Sequence, residues 1–457
     1  MTRMRLERRT VLAAGLAAAT AALAGCRDRV RTGQPTPEAT SPAARATTGA
    51  PRAAVAPSTA AAPAPQDKIG RRDPQDGSAL TTVLTRYLQP TRENPDHPMY
   101  AGAVALCQVG GAVVARSVVG KALRYDAGPV LLPESKQVAM RHDSIFDLAS
   151  ITKVYTAILA LQQVDRGRID LAGRVVDYLP EFSGTGKDAV TVSMLLTHTS
   201  GLPVGAKVTG LPDDAARRAA VLATPLVAGA VPGTVFRYSS VGLMVLAQLV
   251  EKVTGSRLDQ VLKSELTGPL GLRDTGFNPK TWLSATDQAN RLVATDARSS
   301  RGLLRGVVHD DVANHLGGIA GHAGIFSTAA DVAVIGQLLL NGGSYNGTRI
   351  LSEEITRRML TNANTGLPAV DPERPNRTSA HGLGVVLDQP WFMGWLASPR
   401  TFGHTGFTGT SLVVNPARKM VLVLLTNRAH PNWSWADPDP VRVAAANAVG
   451  GPVKRAA

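Results

Sequence analysis

The spacing of apolar and polar positions predicts strands near both ends of the chain and helices between them. Residues 101–120 form two alternating runs that meet at Gly110-Gly111, which is the pattern of a β-hairpin. Two β-rich runs, residues 410–415 and 419–427, predict a second hairpin. The expected fold is α/β (α+β), in which an antiparallel sheet built from both chain ends is flanked by helices and carries a mainly helical inserted domain.

Helical periodicity is clearest where apolar residues recur on one face over ten or more positions. Four segments are predicted helices: residues 78–88, 152–165, 241–253 and 439–449. The second stops at Gly167 and the third at Gly255, and glycine is the residue that most often follows a helix.

The N-terminus has the pattern of an export signal. Residues 1–9 are basic, and residues 11–24 are a stretch of Val, Leu, Ala, Gly and Thr. A membrane-spanning helix needs about 20 apolar residues, so this shorter stretch predicts a cleaved signal peptide, residues 1–25. Arg8-Arg9 resembles a twin-arginine export signal, and a plain basic segment is the alternative.

The predicted signal ends in the sequence LAGC, which resembles a bacterial lipobox with its cysteine at Cys26. The resemblance implies that Cys26 is lipidated, and that the protein is exported and anchored to the cell membrane, facing outside the cytoplasm. An ordinary cleaved signal with an incidental cysteine is the alternative. Residues 26–73 are rich in Ala, Pro and Thr and predict a lipid-anchored, disordered linker, which precedes one catalytic domain at residues 74–457.

Composition excludes several classes of protein. Aromatic residues make up only 4% of the chain, which argues against a nucleic-acid binder that stacks bases. The formal net charge is +14, but the basic residues are scattered and predict a solvated surface. Two cysteines are too few for a disulfide scaffold or a multi-cysteine zinc site. Cys107, in the first predicted hairpin, is expected to be buried and inert.

A candidate nucleophile stands at the start of the helix predicted at residues 152–165. Ser150 lies at or near its N-terminus, and Lys153 follows one turn later on the same face. Free backbone N–H groups there favour a developing oxyanion, and a desolvated lysine can be neutral enough to accept a proton. Taken alone, the spacing fits a serine N-cap with a solvent-facing lysine better.

Two more polar segments stand directly before predicted elements. The sequence RYSS (237–240) precedes the helix at 241–253, where Tyr238 is either a proton shuttle or a hydrophobic staple. The sequence FGHTGF (402–407) precedes the C-terminal hairpin, where its glycines allow close approach of a ligand or form a turn.

In this order and at these spacings, the three segments resemble the serine β-lactamase and penicillin-binding-protein superfamily, whose elements are S-x-x-K, a second polar triplet and K-T-G. The class C β-lactamase branch, with D-alanyl-D-alanine carboxypeptidases and related esterases, is the most similar, since its second element is Y-x-N. Further similarity lies in LLTHTSGLP (195–203), PLGLRDTGF (269–277) and GHAGIFSTAADV (321–332). The resemblance covers roughly residues 78–430.

This resemblance implies a serine hydrolase that works through an acyl-enzyme. It assigns Ser150 as the nucleophile, Lys153 as its activating partner, and Tyr238 as the general base that later returns a proton to the leaving group. It also assigns the backbone N–H groups of Ser150 and Phe407 to an oxyanion hole. No cofactor and no metal are expected.

Two residues depart from the family pattern. Ser240 stands in place of an asparagine and His404 in place of a lysine, and these positions, with Thr405 and Gly406, are expected to bind substrate. A histidine of ordinary pKa, about 6.5, is mostly neutral at pH 7 and becomes cationic below it. We therefore expect serine acylation to be retained and β-lactam turnover to be weak at most.

The predicted substrate is a small-molecule ester or a D-amino-acid amide or peptide of cell-wall type, as for a carboxypeptidase or esterase. Two non-catalytic alternatives are a lipoprotein that binds wall peptides or β-lactams without turnover, and an adhesin on a decayed enzyme scaffold. His198 is expected to pack rather than to catalyse. His309, His315 and His322 lack metal-ligand spacing, although His322 is a candidate pocket-lining residue.

Overall fold

Both predicted hairpins are present, and they lie side by side. The computed structural model of the chain describes residues 78–371 and 377–451. The predicted signal peptide, the lipidation site Cys26 and the linker, residues 1–73, lie outside the described residues.

The longer strands lie near the two ends of the described chain, and the strands between them have two or three residues. They are β1 (Gly102–Val109), β2 (Ala112–Leu123), β3 (Tyr125–Asp126), β4 (Val130–Leu131), β5 (Val138–Ala139), β6 (Phe146–Asp147), β7 (Gly276–Phe277), β8 (Ala294–Asp296), β9 (Leu304–Arg305), β10 (Ile325–Ser327), β11 (Ser344–Tyr345), β12 (Thr348–Arg349), β13 (Val386–Leu387), β14 (Phe402–Thr405), β15 (Ser411–Asn415) and β16 (Met420–Thr426).

Most helices fall between β5 and β13. They are α1 (Ser78–Arg86), α2 (Thr152–Asp165), α3 (Val175–Tyr178), α4 (Val192–Leu196), α5 (Asp214–Ala223), α6 (Ser240–Thr254), α7 (Leu258–Leu262), α8 (Gly268–Leu270), α9 (Ala285–Arg291), α10 (Asp311–His315), α11 (Ala329–Leu340), α12 (Glu353–Met359), α13 (Pro390–Met393) and α14 (Asp439–Gly450).

The largest sheet of the described residues is antiparallel and has the strand order β13-β14-β15-β16-β1-β2-β5. Its centre is the pairing of β1 with β16, in which Ala103 lies opposite Thr426 and Val109 opposite Met420. Every residue of β16 is buried, as expected for a strand covered on both faces. The N-terminal and C-terminal parts of the domain are therefore joined in the middle of the sheet.

Alternation of side chains along β1 divides the core into two layers. Ala103 and Ala105 share one cluster with Leu84 of α1 and Val441 of α14. The intervening Val104 and other residues of the sheet belong to the main cluster, which includes α2, α6 and α11. The helix α11 lies so close to the sheet that a Cβ on its Gly336 would come within 2.6 Å of a Val421 methyl group. The catalytic segments described below belong to this second layer.

The predicted fold class is confirmed: both chain ends build one antiparallel sheet, and a mainly helical section lies between them. The helix predicted at residues 152–165 has those bounds as α2, and α6 extends the prediction of 241–253 by one residue at each end. Cys107 lies fully buried in β1, and burial raises the pKa of its thiol to about 12, as expected for an inert cysteine. None of the described helices is long and apolar enough to span a membrane.

A partly buried carboxyl group at the start of α11 makes stability depend on pH. Asp331 accepts hydrogen bonds from the Thr275 hydroxyl at 2.8 Å and from the backbone N–H of Asp274 at 3.2 Å. Burial, reinforced by the nearby Asp274, raises the pKa of Asp331 from 3.8 to about 6. Between about pH 4 and pH 6 the native protein therefore holds a proton that the unfolded chain has released, so this group's contribution to stability is lost as pH rises.

We predict that Asp331→Asn removes this dependence. The free energy of unfolding of the parent, relative to the variant, should fall by about 2 kcal/mol between pH 4 and pH 7. Urea unfolding followed by circular dichroism at several pH values measures the difference. Asp213→Asn removes a carboxylate from the exposed start of α5 and serves as the control. Parallel pH curves for the parent and Asp331→Asn would contradict the assignment.

Candidate active site

Ser150 lies in a one-turn 3₁₀ helix, Ala149–Ile151, that leads directly into α2. Ala149 has a φ of +47°, in the left-handed region that residues with a Cβ rarely adopt. The carboxylate of Asp147 holds this turn, since its Oδ1 accepts the backbone N–H of Ala149 at 2.8 Å. The candidate nucleophile thus stands on a strained turn at the N-terminus of a buried helix, as strained residues at functional sites often do.

Lys153 lies fully buried one turn after Ser150, not in solvent. Its Nζ is 2.9 Å from Ser150 Oγ and 3.1 Å from the backbone oxygen of His322. A carbonyl oxygen can only accept, so Nζ donates one hydrogen bond there and is fixed towards the serine. The Oγ–Nζ contact provides a direct path for proton transfer when the lysine is neutral.

Tyr238 reaches the same place from the turn before α6. The centre of its ring is 5.0 Å from Lys153 Nζ. His198 supports this turn, because its ring lies 4.7 Å from that of Tyr238 and its Nδ1 accepts the backbone N–H of Ser239 at 3.1 Å. Burial, with His381 and Lys153 nearby, holds the pKa of His198 well below its usual value. A packed His198 is what the sequence predicts.

His404, in β14, is buried, with 2% of its surface exposed. Its Nδ1 lies 2.8 Å from the backbone oxygen of Thr405, so Nδ1 carries a hydrogen and Nε2 is left as an acceptor. Burial, reinforced by the charge of Lys153, holds the pKa of His404 well below its usual value. The expectation that His404 becomes cationic just below pH 7 is therefore wrong.

The segment after β14 is bound to the turn that carries the nucleophile. Thr408 Oγ1 donates to the backbone oxygen of Asp147 at 2.7 Å, and Thr410 Oγ1 donates to that of Leu148 at 3.0 Å. A Cβ at Gly406 would lie 2.3 Å from the Leu148 oxygen, so only glycine permits this approach. These contacts bring the backbone of Phe407 beside the turn of Ser150, the two segments whose N–H groups the resemblance assigns to an oxyanion hole.

The remaining predicted substrate positions lie at the ends of two elements. Ser240 is the first residue of α6 and is 8% exposed. Its backbone N–H donates to the carbonyl oxygen of Val204 at 3.2 Å. Thr405 is half-buried at the last position of β14. Both residues therefore flank the segments that contribute Tyr238 and His404.

Sequence reasoning did not identify Arg377, which brings a permanent positive charge to the site. Its guanidinium lies 5.4 Å from the centre of the Tyr238 ring and 5.2 Å from that of Phe236. Asp371 pairs with it at 3.1 Å, and both side chains are about nine-tenths buried. Arg377 comes from a polar, proline-rich segment without periodicity, so nothing in its local sequence signals this placement.

Metal ligands do not gather in the part of the chain that the structure describes, since no three His, Cys, Asp or Glu side chains lie within reach of one ion. His309 and His322 each face an aspartate, at 3.3 Å from Asp296 and 2.9 Å from Asp310. The site therefore offers a serine, a lysine and a tyrosine for chemistry.

Comparison with known proteins assigns the family. A family model described as Beta-lactamase matches residues 96–447. A putative D-alanyl-D-alanine carboxypeptidase of Escherichia coli K12 is 33% identical over 350 residues, which are 70% of this chain and 76% of that protein. An N-acetylmuramyl-L-alanine amidase of Bacillus subtilis is 32% identical over 355 residues, 72% of this chain and 78% of that protein.

Solved structures show the same fold. A penicillin-binding protein homologue from Caulobacter crescentus superposes with a TM-score of 0.60 at 21% identity, covering 82% of this chain and 97% of that one. A family VIII carboxylesterase superposes with a TM-score of 0.58 at 23% identity, covering 81% of this chain and 95% of that one. With the family-model match and the curated relatives, we conclude that the chain belongs to the β-lactamase family, within the superfamily of serine β-lactamases and penicillin-binding proteins.

Proposed function

We propose that the protein hydrolyses an ester or a D-amino-acid amide or peptide of cell-wall type through an acyl-enzyme on Ser150. The observation that carries this proposal is the 2.9 Å contact between Ser150 Oγ and the fully buried Lys153 Nζ, beside the ring of Tyr238. The names of the carboxypeptidase and amidase relatives support a cell-wall substrate.

The first half-reaction forms a bond between Ser150 Oγ and the substrate carbonyl carbon, while the hydroxyl proton passes to the Lys153–Tyr238 pair. Negative charge on the carbonyl oxygen is stabilised by the backbone N–H groups of Ser150 and Phe407. Collapse of this intermediate breaks the bond to the leaving group, which takes up the proton. Water then attacks the carbonyl carbon of the acyl-enzyme ester, and Ser150 regains its proton as the carboxylic acid product leaves.

The preferred substrates carry no carboxylate at the position that His404 faces. A hydrogen bond from a charged partner contributes about 1.5–3 kcal/mol and a neutral one about 0.5–1.5 kcal/mol. Since His404 is buried and neutral, it offers a carboxylate only the weaker kind of hydrogen bond. The difference is on the order of 1 kcal/mol, so penicillins should bind about five- to tenfold more weakly relative to uncharged esters. Binding without turnover is disfavoured, because Lys153 is held against Ser150 as catalysis requires.

The proposed location is the outer face of the cell membrane, with the protein attached through lipid on Cys26. The support is the signal pattern of residues 1–25, which ends in LAGC. The linker at residues 26–73 then connects the lipid to the hydrolase domain.

We predict that a fluorophosphonate probe labels Ser150. Labelling should be absent in Ser150→Ala and should fall by about 100-fold or more in Lys153→Ala and in Tyr238→Phe, because each removes a proton acceptor. Peptide mass spectrometry and gel fluorescence measure the site and the rate. Equal labelling of Ser150→Ala would show that another nucleophile reacts.

A second prediction concerns pH. Penicillin binding to the acylation-dead Ser150→Ala protein should show the same pH profile between pH 8 and pH 6 whether residue 404 is histidine or glutamine. The reason is that the pKa of His404 lies well below this range, so its charge does not change. Calorimetric titration of Ser150→Ala and of Ser150→Ala with His404→Gln measures both profiles. Binding that strengthens towards pH 6 only with histidine would contradict the buried, neutral state.

A third prediction concerns the N-terminus. Mass spectrometry of the protein extracted from membranes should find that Cys26 is the first residue and carries lipid. The Cys26→Ala variant should appear in the soluble fraction, with unchanged activity per molecule. Unmodified Cys26 in the mature protein would exclude the lipid anchor and would leave the proposed reaction at Ser150 unaffected.

A further inference from the structure

The second hydrogen-bond partner of Lys153 belongs to a loop that a hydrogen bond between His322 and Asp310 holds in place. Lys153 Nζ donates to the backbone oxygen of His322, a residue that is 1% exposed. His322 Nε2 lies 2.9 Å from Asp310 Oδ1. The neighbouring Gly321 has no room for a Cβ, which would lie 2.1 Å from the backbone oxygen of Leu243. The carbonyl that orients the lysine is thus fixed by Asp310.

The residue before Asp310 contacts the turn of the nucleophile. The backbone N–H of His309 donates to Asp147 Oδ2 at 2.7 Å. The other oxygen of the same carboxylate, Oδ1, accepts the N–H of Ala149, next to Ser150. Two adjacent residues therefore connect to both reacting groups: His309 to the turn of Ser150 through Asp147, and Asp310 to Lys153 through His322.

We propose that His309-Asp310 acts as a clamp that sets the separation of Ser150 Oγ and Lys153 Nζ, with Asp147, Asp310 and His322 as positioning residues. The proposal rests on the acylation of Ser150 proposed above. It extends that function by assigning the alignment of the two reacting groups to side chains outside the set of Ser150, Lys153 and Tyr238.

The charges of the cluster support a rigid clamp. Burial acts to raise the pKa of Asp310, but His322 and the N–H of Ala313 hold it well below its usual value, so the bond to His322 is charge-assisted. Asp147 is fully buried, and burial raises its pKa, while the N–H groups of His309 and Ala149 oppose this rise. Asp147 and His322 are buried, so water does not replace their lost partners at equal strength, and the loop and the turn keep one arrangement.

Asp310 also caps a helix, so the test must distinguish loss of the clamp from loss of this cap. Its Oδ1 accepts the backbone N–H of Ala313 at 2.8 Å and so caps α10. Serine caps a helix about as well as aspartate, but its side chain is shorter and does not reach His322. Asparagine keeps both the cap and an oxygen for His322. Asp310→Ser therefore breaks the clamp alone, and Asp310→Asn restores it.

The test is the rate of fluorophosphonate labelling of Ser150 in the whole protein, resolved into the maximal rate constant and the half-saturating probe concentration. In Asp310→Ser the maximal rate constant should fall about tenfold or more, because a small misalignment of the reacting groups slows acylation strongly. The half-saturating probe concentration should stay within about twofold of that of the parent. Asp310→Asn should recover to within about threefold of the parent. Asp311→Ser is the matched control, since Asp311 is the next residue, pairs with Arg301 and is exposed.

A second pair of variants approaches the clamp from its other side. His322→Gln keeps an N–H that reaches Asp310, whereas His322→Leu keeps the volume without a donor, so Gln should retain the labelling rate that Leu loses. Equal rates in Asp310→Ser and the parent, or equal losses in His322→Gln and His322→Leu, would overturn the clamp. Failure to label Ser150 in the parent would instead overturn the proposed function.

Discussion

The turn that carries Ser150 has a strained backbone conformation, and hydrogen bonds from the surrounding structure stabilise it. Ala149 sits in the left-handed region, which costs a residue with a Cβ about 1–3 kcal/mol. The cost is offset by bonds from outside the turn: Asp147 accepts the N–H of Ala149, and Thr408 and Thr410 bind the carbonyl oxygens of residues 147 and 148. The bonds from Thr408 and Thr410 also place the segment of Phe407 beside Ser150, so the same contacts stabilise the strained turn and assemble the site.

A second feature of the site is the neutrality of its histidines. His198, His381 and His404 are all buried, and burial lowers the pKa of each. The rings of His198 and His404 lie 4.7 Å and 6.4 Å from that of Tyr238 without adding positive charge, and His198 and His381 pack edge to face at 4.9 Å. The permanent cation on this side is Arg377, which is matched by Asp371. These buried histidines keep water away from that side of the site, which strengthens each remaining electrostatic contact.

The sequence was sufficient to predict the parts that depend on local pattern. The apolar period of residues 152–165 predicted α2 and placed Ser150 and Lys153 one turn apart, and the two hairpins predicted the central sheet. The burial of His404 was not predictable, because residue type gives the ordinary pKa of an imidazole but not what packs against it. Asp147, Asp310 and Arg377 were missed for a related reason: each lies in a loop or a very short element, and its partners are brought together only by tertiary folding.

The pairing of β1 with β16 has a consequence for how the chain folds. Residues 103 and 426 are neighbours in the sheet, so its central ladder spans nearly the whole catalytic domain in sequence. Closing so long a loop is slow, and an emerging chain lacks β16 until almost all of the domain has been synthesised. Until then β1 presents an unpaired edge of apolar residues, which is the feature most prone to aggregation.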